Sequence, residues 1–128
     1  MGTINTAFEV TGWDEHQFDR HAGTAKLTRA KVTKSYNGDL DGTSVTLWVM
    51  AYAADGNATF VGIERIDATI GDRDGTIVLQ HVGRFANGTA TAELDIISGS
   101  CTGDFAELAG TGRLTADPAG RVTLDTTL

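Results

Sequence analysis

The sequence has few cysteines, few basic residues and no long apolar segment, and each of these shortages argues against a class of protein. Its one cysteine, Cys101, excludes an intrachain disulfide and fits a reducing compartment. Ten Lys and Arg against seventeen Asp and Glu give a net charge of −7, and the scattered basic residues argue against a nucleic-acid or anionic-membrane partner. No apolar segment approaches the roughly 20 residues of a membrane-spanning helix, and the N-terminus does not resemble a signal peptide. We therefore expect a cytoplasmic protein.

Helical periodicity is also missing, and proline occurs once against sixteen glycines. The best helix candidate, Thr11–Ala22, has no steady apolar stripe, so we predict a loop with at most one helical turn. Abundant Thr, Val and Ile between glycine-rich separators indicate strands joined by tight turns. Eight segments are predicted as strands: Thr3–Thr11, Thr24–Tyr36, Asp41–Ala53, Ala58–Ile70, Gly75–Phe85, Thr89–Ser98, Gly110–Asp117 and Arg121–Leu128.

Evenly spaced strands with short turns are typical of an antiparallel meander. For residues 1–128, which we take as one domain, the sequence predicts an eight-stranded up-and-down β-barrel. A barrel of eight strands has an interior that can hold one small ligand. A two-sheet sandwich is the alternative architecture.

The stretch from Phe60 to Phe85 predicts a hairpin that would carry the chemistry. Strand side chains alternate between two faces, which turns Phe60, Gly62, Glu64 and Ile66 inward and Val61, Ile63 and Arg65 outward. A four-residue loop, 71–74, would then place Glu64 opposite His81 and Gly62 opposite Gly83. A carboxylate beside an imidazole predicts a catalytic acid/base pair, with a buried structural ion pair as the alternative.

Residues around this pair predict a ligand cavity that needs no cofactor. Gly62 and Gly83 lack side chains and would leave room for a ligand beside the polar pair. Trp48, Tyr52, Phe60 and Phe85 would shape the wall. The segment Asp41–Ala53 is apolar on both faces, so either face could line the barrel; the other would suit a homo-oligomer interface or lie under a loop.

Other polar residues are interpreted without a catalytic role. Lys31 and Lys34 fall on opposite faces of their strand and are both expected at the surface. His16 and His21 with nearby acids could ligate a metal, but they lack an HExxH arrangement, and we predict a solvated loop and no metal site. The repeated GDLDGT and GDRDGT motifs suit turns, and Cys101, without a base partner, is expected to be a small semi-buried thiol.

Four segments together resemble one family: KSYNGDLDGTS (34–44), AYAADGNATFVGIER (51–65), DGTIVLQHVGRF (74–85) and SGSCTGDFAELAGTGRL (98–114). They are similar to the DUF3224 family of small bacterial proteins, which is grouped with the allene-oxide-cyclase-like β-barrels. The resemblance spans residues 5–127 and implies an eight-stranded antiparallel barrel with a central cavity. Barrels of this type include cofactor-free cyclases of fatty-acid-derived and polyketide substrates as well as non-catalytic binders, and the resemblance assigns no residue a role.

The leading hypothesis is a barrel that binds a small hydrophobic molecule and isomerises or cyclises it without a cofactor. Glu64 and His81 would handle the proton, while the cavity would fix a reactive conformer of the substrate. One alternative is a non-catalytic carrier or sensor of a hydrophobic metabolite. Another is an interaction protein whose barrel is filled by side chains.

Overall fold

The computed structural model describes residues 2–20 and 25–127. These ranges contain no helix, and therefore none that is long and apolar enough to cross a membrane. Their strands are β1 Gly2–Arg20, β2 Lys26–Gly38, β3 Asp41–Tyr52, β4 Ala58–Ile70, β5 Arg73–Ala86, β6 Thr89–Ile96, β7 Thr102–Gly103, β8 Ala109–Ala116 and β9 Gly120–Thr127.

Eight of these strands close into an antiparallel barrel. The sheet runs in the order β4-β3-β2-β1-β9-β8-β6-β5, and pairing between β4 and β5 joins its two ends. The short strand β7 adds to the beginning of β5 outside this ring. The predicted eight-stranded up-and-down barrel is therefore confirmed, and the sandwich is excluded.

The turn between β4 and β5 is shorter than the sequence suggested. Ile70 pairs with Arg73, so the turn is formed by residues 71–72 and not by four residues. The register consequently shifts by two, and Gly62 lies opposite His81 while Glu64 lies opposite Leu79. A shift of two residues keeps every side chain on its predicted face. Glu64 and His81 thus become diagonal neighbours on the inner face of the barrel.

Strand β1 corrects the prediction of a loop over Thr11–Ala22. It continues to Arg20 and pairs with β2, with register shifts at Val10/Gly12 and Gln17/Asp19. Such bulges exchange inward and outward positions, which hides the period-two pattern in the sequence. Pairing of β1 with β9 ends at Phe8, so the rest of β1 pairs only with β2 among the described residues.

The two ends of the barrel differ. At one end the connection between β6 and β8 folds inward and buries Phe105 and Leu108 in the core with Leu40 and Ile77. Cys101 is buried in the same connection, near the backbone N–H of Val78, where the sequence suggested a semi-buried thiol. The other end, surrounded by the β3–β4, β5–β6 and β8–β9 turns, holds an open pocket.

Candidate ligand site and the polar cluster beneath it

An apolar pocket of about 380 Å³ opens at one end of the barrel. We call it the mouth pocket. The β6–β8 connection, with the buried Phe105 and Leu108, covers the opposite end, which we call the plugged end. The face of β3 that contains Trp48, Met50 and Tyr52 lines the mouth pocket, which settles which face of this strand is inside. Its lining residues are Phe8, Val10, Trp13, Trp48, Met50, Tyr52, Phe60, Phe85, Gly88, Ala90, Leu114, Ala116 and Pro118. The four predicted wall residues, Trp48, Tyr52, Phe60 and Phe85, are all in this set.

The side-chain hydrogen-bond donors of this lining are already engaged with protein partners. The Nε1–H of Trp13 donates to Glu15 Oε1 over 2.9 Å, and the Tyr52 hydroxyl donates to Glu15 Oε2 over 2.7 Å. The Nε1–H of Trp48 points out of the pocket to Nδ1 of His81, at 3.3 Å. The side chains therefore offer a bound molecule rings and aliphatic surface with no free N–H or O–H.

Glu15 accepts hydrogen bonds from three side chains at the edge of the mouth pocket. Two are the bonds from Trp13 and Tyr52, and the third comes from the hydroxyl of Thr28, which donates to Oε2 over 2.7 Å. Partial burial raises the pKa of Glu15, but these hydrogen bonds and the charge of Lys26 outweigh burial and lower it. Burial and the bond to Glu15 raise the pKa of Tyr52 to about 12, so its hydroxyl remains a donor. The projecting part of β1 is thereby tied to β2 and β3.

Beneath the mouth pocket, Glu64 is the centre of a buried polar cluster. Its Oε1 lies 2.8 Å from His81 Nε2 and 3.5 Å from Lys34 Nζ. Its Oε2 accepts hydrogen bonds from the hydroxyls of Tyr36 and Ser44, each at 2.6 Å. Burial and the Glu64 charge raise the pKa of Tyr36, which keeps its phenol protonated. One carboxylate thus accepts hydrogen bonds from four side chains, which come from β2, β3 and β5.

The protonation of His81 follows from its two neighbours. An indole N–H can only donate, so Nδ1 of His81 must be the acceptor of the Trp48 bond. The ring proton is then on Nε2, where it is donated to Glu64. Burial lowers the pKa of His81, although the carboxylate of Glu64 opposes this effect. His81 is therefore neutral, with both ring nitrogens occupied by protein partners.

Lys34 corrects the prediction of a surface lysine. Its side chain is fully buried, with Nζ 4.6 Å from the ring centre of Phe8 and 5.0 Å from that of Trp48. Burial lowers the pKa of Lys34 in spite of the opposing charge of Glu64. Burial would also raise the pKa of Glu64, but the Lys34 charge and the hydrogen bonds from His81 and Ser44 bring it down to about 2. The buried charge of Glu64 is thus balanced chiefly by Lys34, which we had not placed in the site.

The two glycines of the predicted site do not leave room for a ligand. A Cβ on Gly62 would lie 2.1 Å from the carbonyl oxygen of Leu47 and 2.6 Å from Trp48 Cδ1. A Cβ on Gly83 would lie 2.8 Å from Cζ of Phe60. The space beside these glycines is therefore occupied by carbonyl oxygens of the neighbouring strands and by the rings of Trp48 and Phe60.

These rings separate the two parts of the site. Trp48 and Phe60 pack at 4.8 Å between ring centres and form part of the pocket lining. Glu64 and His81 have no exposed surface and are absent from the lining of the mouth pocket. The mouth pocket thus ends at Trp48 and Phe60, and the acid/base pair does not face it.

A family model described as "Protein of unknown function (DUF3224)" matches residues 4–128. The chain belongs to the DUF3224 family. A crystal structure of a DUF3224 protein from Shewanella oneidensis MR-1 is similar over 100% of this chain and 98% of that one, with a TM-score of 0.84 and 23% identity. A pyocyanin demethylase is similar over 98% of this chain and 100% of its own, with a TM-score of 0.69 and 14% identity. At these identities the likeness shows the fold alone. No curated protein matches the chain.

The remaining histidine candidates do not assemble a site in the described part of this DUF3224 protein. His16 is exposed and lies 2.9 Å from Asp14, while His21 is outside the described residues. No group of three or more His, Cys, Asp or Glu side chains within residues 2–20 and 25–127 could hold a metal ion. The acids of the turn motifs form local hydrogen bonds: Asp39 accepts from the N–H of Asn5, Asp41 from that of Gly38, and Asp74 from the hydroxyl of Thr69.

Proposed function

We propose that this protein binds a small, flat, apolar molecule in the mouth pocket. One observation supports this proposal. The three side chains of the lining that can donate a hydrogen bond, Trp13, Trp48 and Tyr52, all donate to protein acceptors. A polar ligand would lose hydrogen bonds to water on entering and would find no side-chain donor to replace them. An apolar ligand loses none and gains the burial of its surface.

The shape of the ligand is inferred from the rings of the wall. Trp13 meets Trp48 edge-on at 5.6 Å between centres, and Trp48 meets Phe60 at 4.8 Å. Aromatic rings favour offset-stacked and edge-to-face contacts, which suit a planar ligand. The volume of about 380 Å³ lies within the range of about 300–1,000 Å³ found for small-molecule pockets. The pyocyanin demethylase of similar fold is named for a small-molecule substrate, which agrees with this class of ligand.

Intrinsic fluorescence offers a direct test, because both tryptophans of the chain line the pocket. We would titrate the protein with 1-aminoanthracene, a neutral planar dye. Binding should quench the tryptophan emission, enhance that of the dye and saturate at one dye per chain. Replacement of Ala90 or Ala116 by Leu puts a larger side chain into the pocket and should weaken binding at least tenfold.

The control is Ala106→Leu, the same change at an exposed position at the plugged end. This variant should bind the dye as the wild type does. Two results would reject the proposal: no saturable binding by the wild type, or equal binding by the Ala90→Leu, Ala116→Leu and wild-type proteins.

Proton transfer by Glu64 and His81 is a second candidate, in which the bound molecule is isomerised or cyclised without a cofactor. One observation that favours it is that Trp48, which lines the mouth pocket, donates a hydrogen bond to His81. A second is that Thr46 Oγ1, two residues before Trp48 on β3, is buried and has no hydrogen-bond partner among the described residues. A ligand that displaced the indole would reach Nδ1 of His81.

This second candidate requires that ligand binding break the bond between Trp48 and His81. The ¹⁵N NMR signals of His81 would be recorded with and without saturating 1-aminoanthracene. A large shift of the Nδ1 signal is expected if the indole moves aside. Unchanged His81 signals at saturation would count against proton transfer and would leave a non-catalytic carrier or sensor.

A further inference from the structure

The outer face of β3, β4 and β5 exposes a continuous group of aliphatic side chains. We call it the aliphatic patch. Val49, Val61 and Val82 lie in one row across the three strands, and Leu47 and Ile63 lie in the next row. Its six members are between 41% and 50% exposed: Val45, Leu47, Val49, Val61, Ile63 and Val82. A monomer seldom leaves so many aliphatic side chains together in water, so the patch indicates a protein interface.

The charges around the aliphatic patch restrict its partner. Four exposed cations border it: Arg29, Lys31, Arg65 and Arg84. None of the four forms an ion pair with another described residue. Glu93, the acid beside Val82, is paired with Arg113 at 3.7 Å. Two patches placed face to face would bring like charges together, whereas a partner with acidic and apolar groups would fit.

The chain carries such a surface on the part of β1 that extends beyond β9. Residues 9–20 contain four acids, Glu9, Asp14, Glu15 and Asp19, against one Lys or Arg, Arg20. Asp14 lies 2.9 Å from His16 and Glu15 accepts hydrogen bonds from its own chain, but the net charge of the segment remains negative. Three large apolar side chains of this segment are about half exposed: Phe18 lies outside the mouth pocket, whereas Val10 and Trp13 also line it. Its edge away from β2 has no strand beside it in the described chain. A free strand edge with exposed apolar side chains is a site where another chain readily docks.

We propose that this protein assembles head to tail, with the β1 extension of one copy docked on the aliphatic patch of the next. The extension supplies apolar groups and negative charge, and the patch supplies apolar groups and positive charge. Contact between two different surfaces of the same chain is heterologous, and it forms a closed ring or an open chain. The contact would also cover the outer face of the segment that supplies Trp13 to the mouth pocket.

Substitutions at two exposed positions, Leu47 and Phe18, test this arrangement by analytical ultracentrifugation. Leu47→Glu disables the patch and Phe18→Glu disables the extension, while Ala7→Glu adds the same charge to an exposed position on β1 next to β9. The wild type and Ala7→Glu should sediment as oligomers at micromolar concentration. Each of the other variants should sediment as a monomer of about 13.5 kDa with an unchanged melting temperature.

The decisive sample is an equimolar mixture of the two disabled variants. One retains an intact extension and the other an intact patch, so the mixture should form a 1:1 dimer and nothing larger. A monomeric wild type would overturn the proposal. Persistence of oligomers in Phe18→Glu would show that the patch binds another surface, and a mixture that remained monomeric would also contradict head-to-tail docking.

Discussion

The indole Nε1–H of Trp48 donates to Nδ1 of His81 across 3.3 Å, and this contact joins the wall of the mouth pocket to the buried polar cluster. The two rings are inclined at 63° with their centres 5.8 Å apart. Because the indole cannot accept a hydrogen bond, the contact fixes the tautomer of the imidazole. It also leaves His81 without a proton to donate toward the pocket.

The tautomer of His81 is the first prediction. We expect ¹⁵N NMR at pH 7 to show a neutral ring with the proton on Nε2. Trp48→Phe removes the donor and leaves Nδ1 buried without a partner, which should reduce the free energy of unfolding by about 1–3 kcal/mol. The tautomer should nevertheless persist, since Glu64 continues to accept from Nε2. A protonated Nδ1 in the wild type would contradict the assignment.

The second prediction concerns the buried pair Lys34 and Glu64. Glu64→Gln leaves the ammonium of Lys34 without its counter-charge and should reduce the free energy of unfolding by about 3–5 kcal/mol. Lys34→Met should be less harmful, because Tyr36, Ser44 and His81 still donate to the carboxylate. The double variant should therefore be more stable than Glu64→Gln alone. Urea unfolding of the four proteins measures this coupling, and additive losses would show that the pair does not interact.

The third prediction is a loss of stability in acid. The pKa of His81 lies below its ordinary 6.5 and that of Glu64 below 4.5, at about 2, so the folded protein binds fewer protons than the unfolded chain at both sites. Stability should consequently fall as the pH drops below 6.5, because unfolded His81 becomes protonated first. A further loss should follow between pH 4.5 and about 2, where Glu64 of the unfolded chain takes up a proton and Glu64 of the folded protein does not.

Urea unfolding of the wild type and of His81→Gln at a series of pH values tests this dependence. The glutamine amide can still donate to Glu64 but does not titrate. The difference between the two proteins should therefore change between pH 7 and pH 5, with the wild type losing more stability. Parallel curves over this interval would contradict the lowered pKa of His81.

The inner face of the hairpin could be predicted from sequence because alternation depends only on parity. Our error of two residues in the β4–β5 turn left Glu64 and His81 inside and in contact. The same alternation puts Lys34 on the face of Val32 and Tyr36, both buried. We expected Lys34 to be exposed because it is charged. In the structure its ammonium is buried beside the carboxylate of Glu64, which is distant in the sequence. Hydropathy alone gives no sign of such a pairing.

Two features could not be predicted from the sequence, for different reasons: the continuation of β1 to Arg20, and the separation of the mouth pocket from Glu64 and His81 by Trp48 and Phe60. Two bulges interrupt the alternation of β1, so its apolar residues follow neither a strand nor a helix period. We expected Gly62 and Gly83 to leave room for a ligand, whereas protein atoms lie close to both. Sequence could not decide between a ligand and the rings of Trp48 and Phe60, because this depends on the register of three strands.

The last prediction tests whether Gly62 is required for the position of Trp48. In Gly62→Ala the new methyl group would meet the Leu47 carbonyl oxygen and Trp48 Cδ1 at 2.1 and 2.6 Å, and the backbone oxygen cannot move away without disrupting β3. Overpacking of this kind should cost about 1–3 kcal/mol and turn the indole away from His81. We expect a lower melting temperature and altered near-ultraviolet circular dichroism.

Gly12→Ala is the matched control for this change. Its Cβ would lie 2.7 Å from Thr33 Oγ1 and 4.0 Å from Thr33 Cβ. The hydroxyl is a side-chain group that can rotate away at the loss of one exposed hydrogen bond from Thr11. Neither glycine has a positive φ, so backbone strain affects neither variant. Gly12→Ala should therefore melt close to the wild type, while Gly62→Ala should melt several degrees lower. Equal melting temperatures and unchanged aromatic circular dichroism in both variants would show that Trp48 does not depend on Gly62.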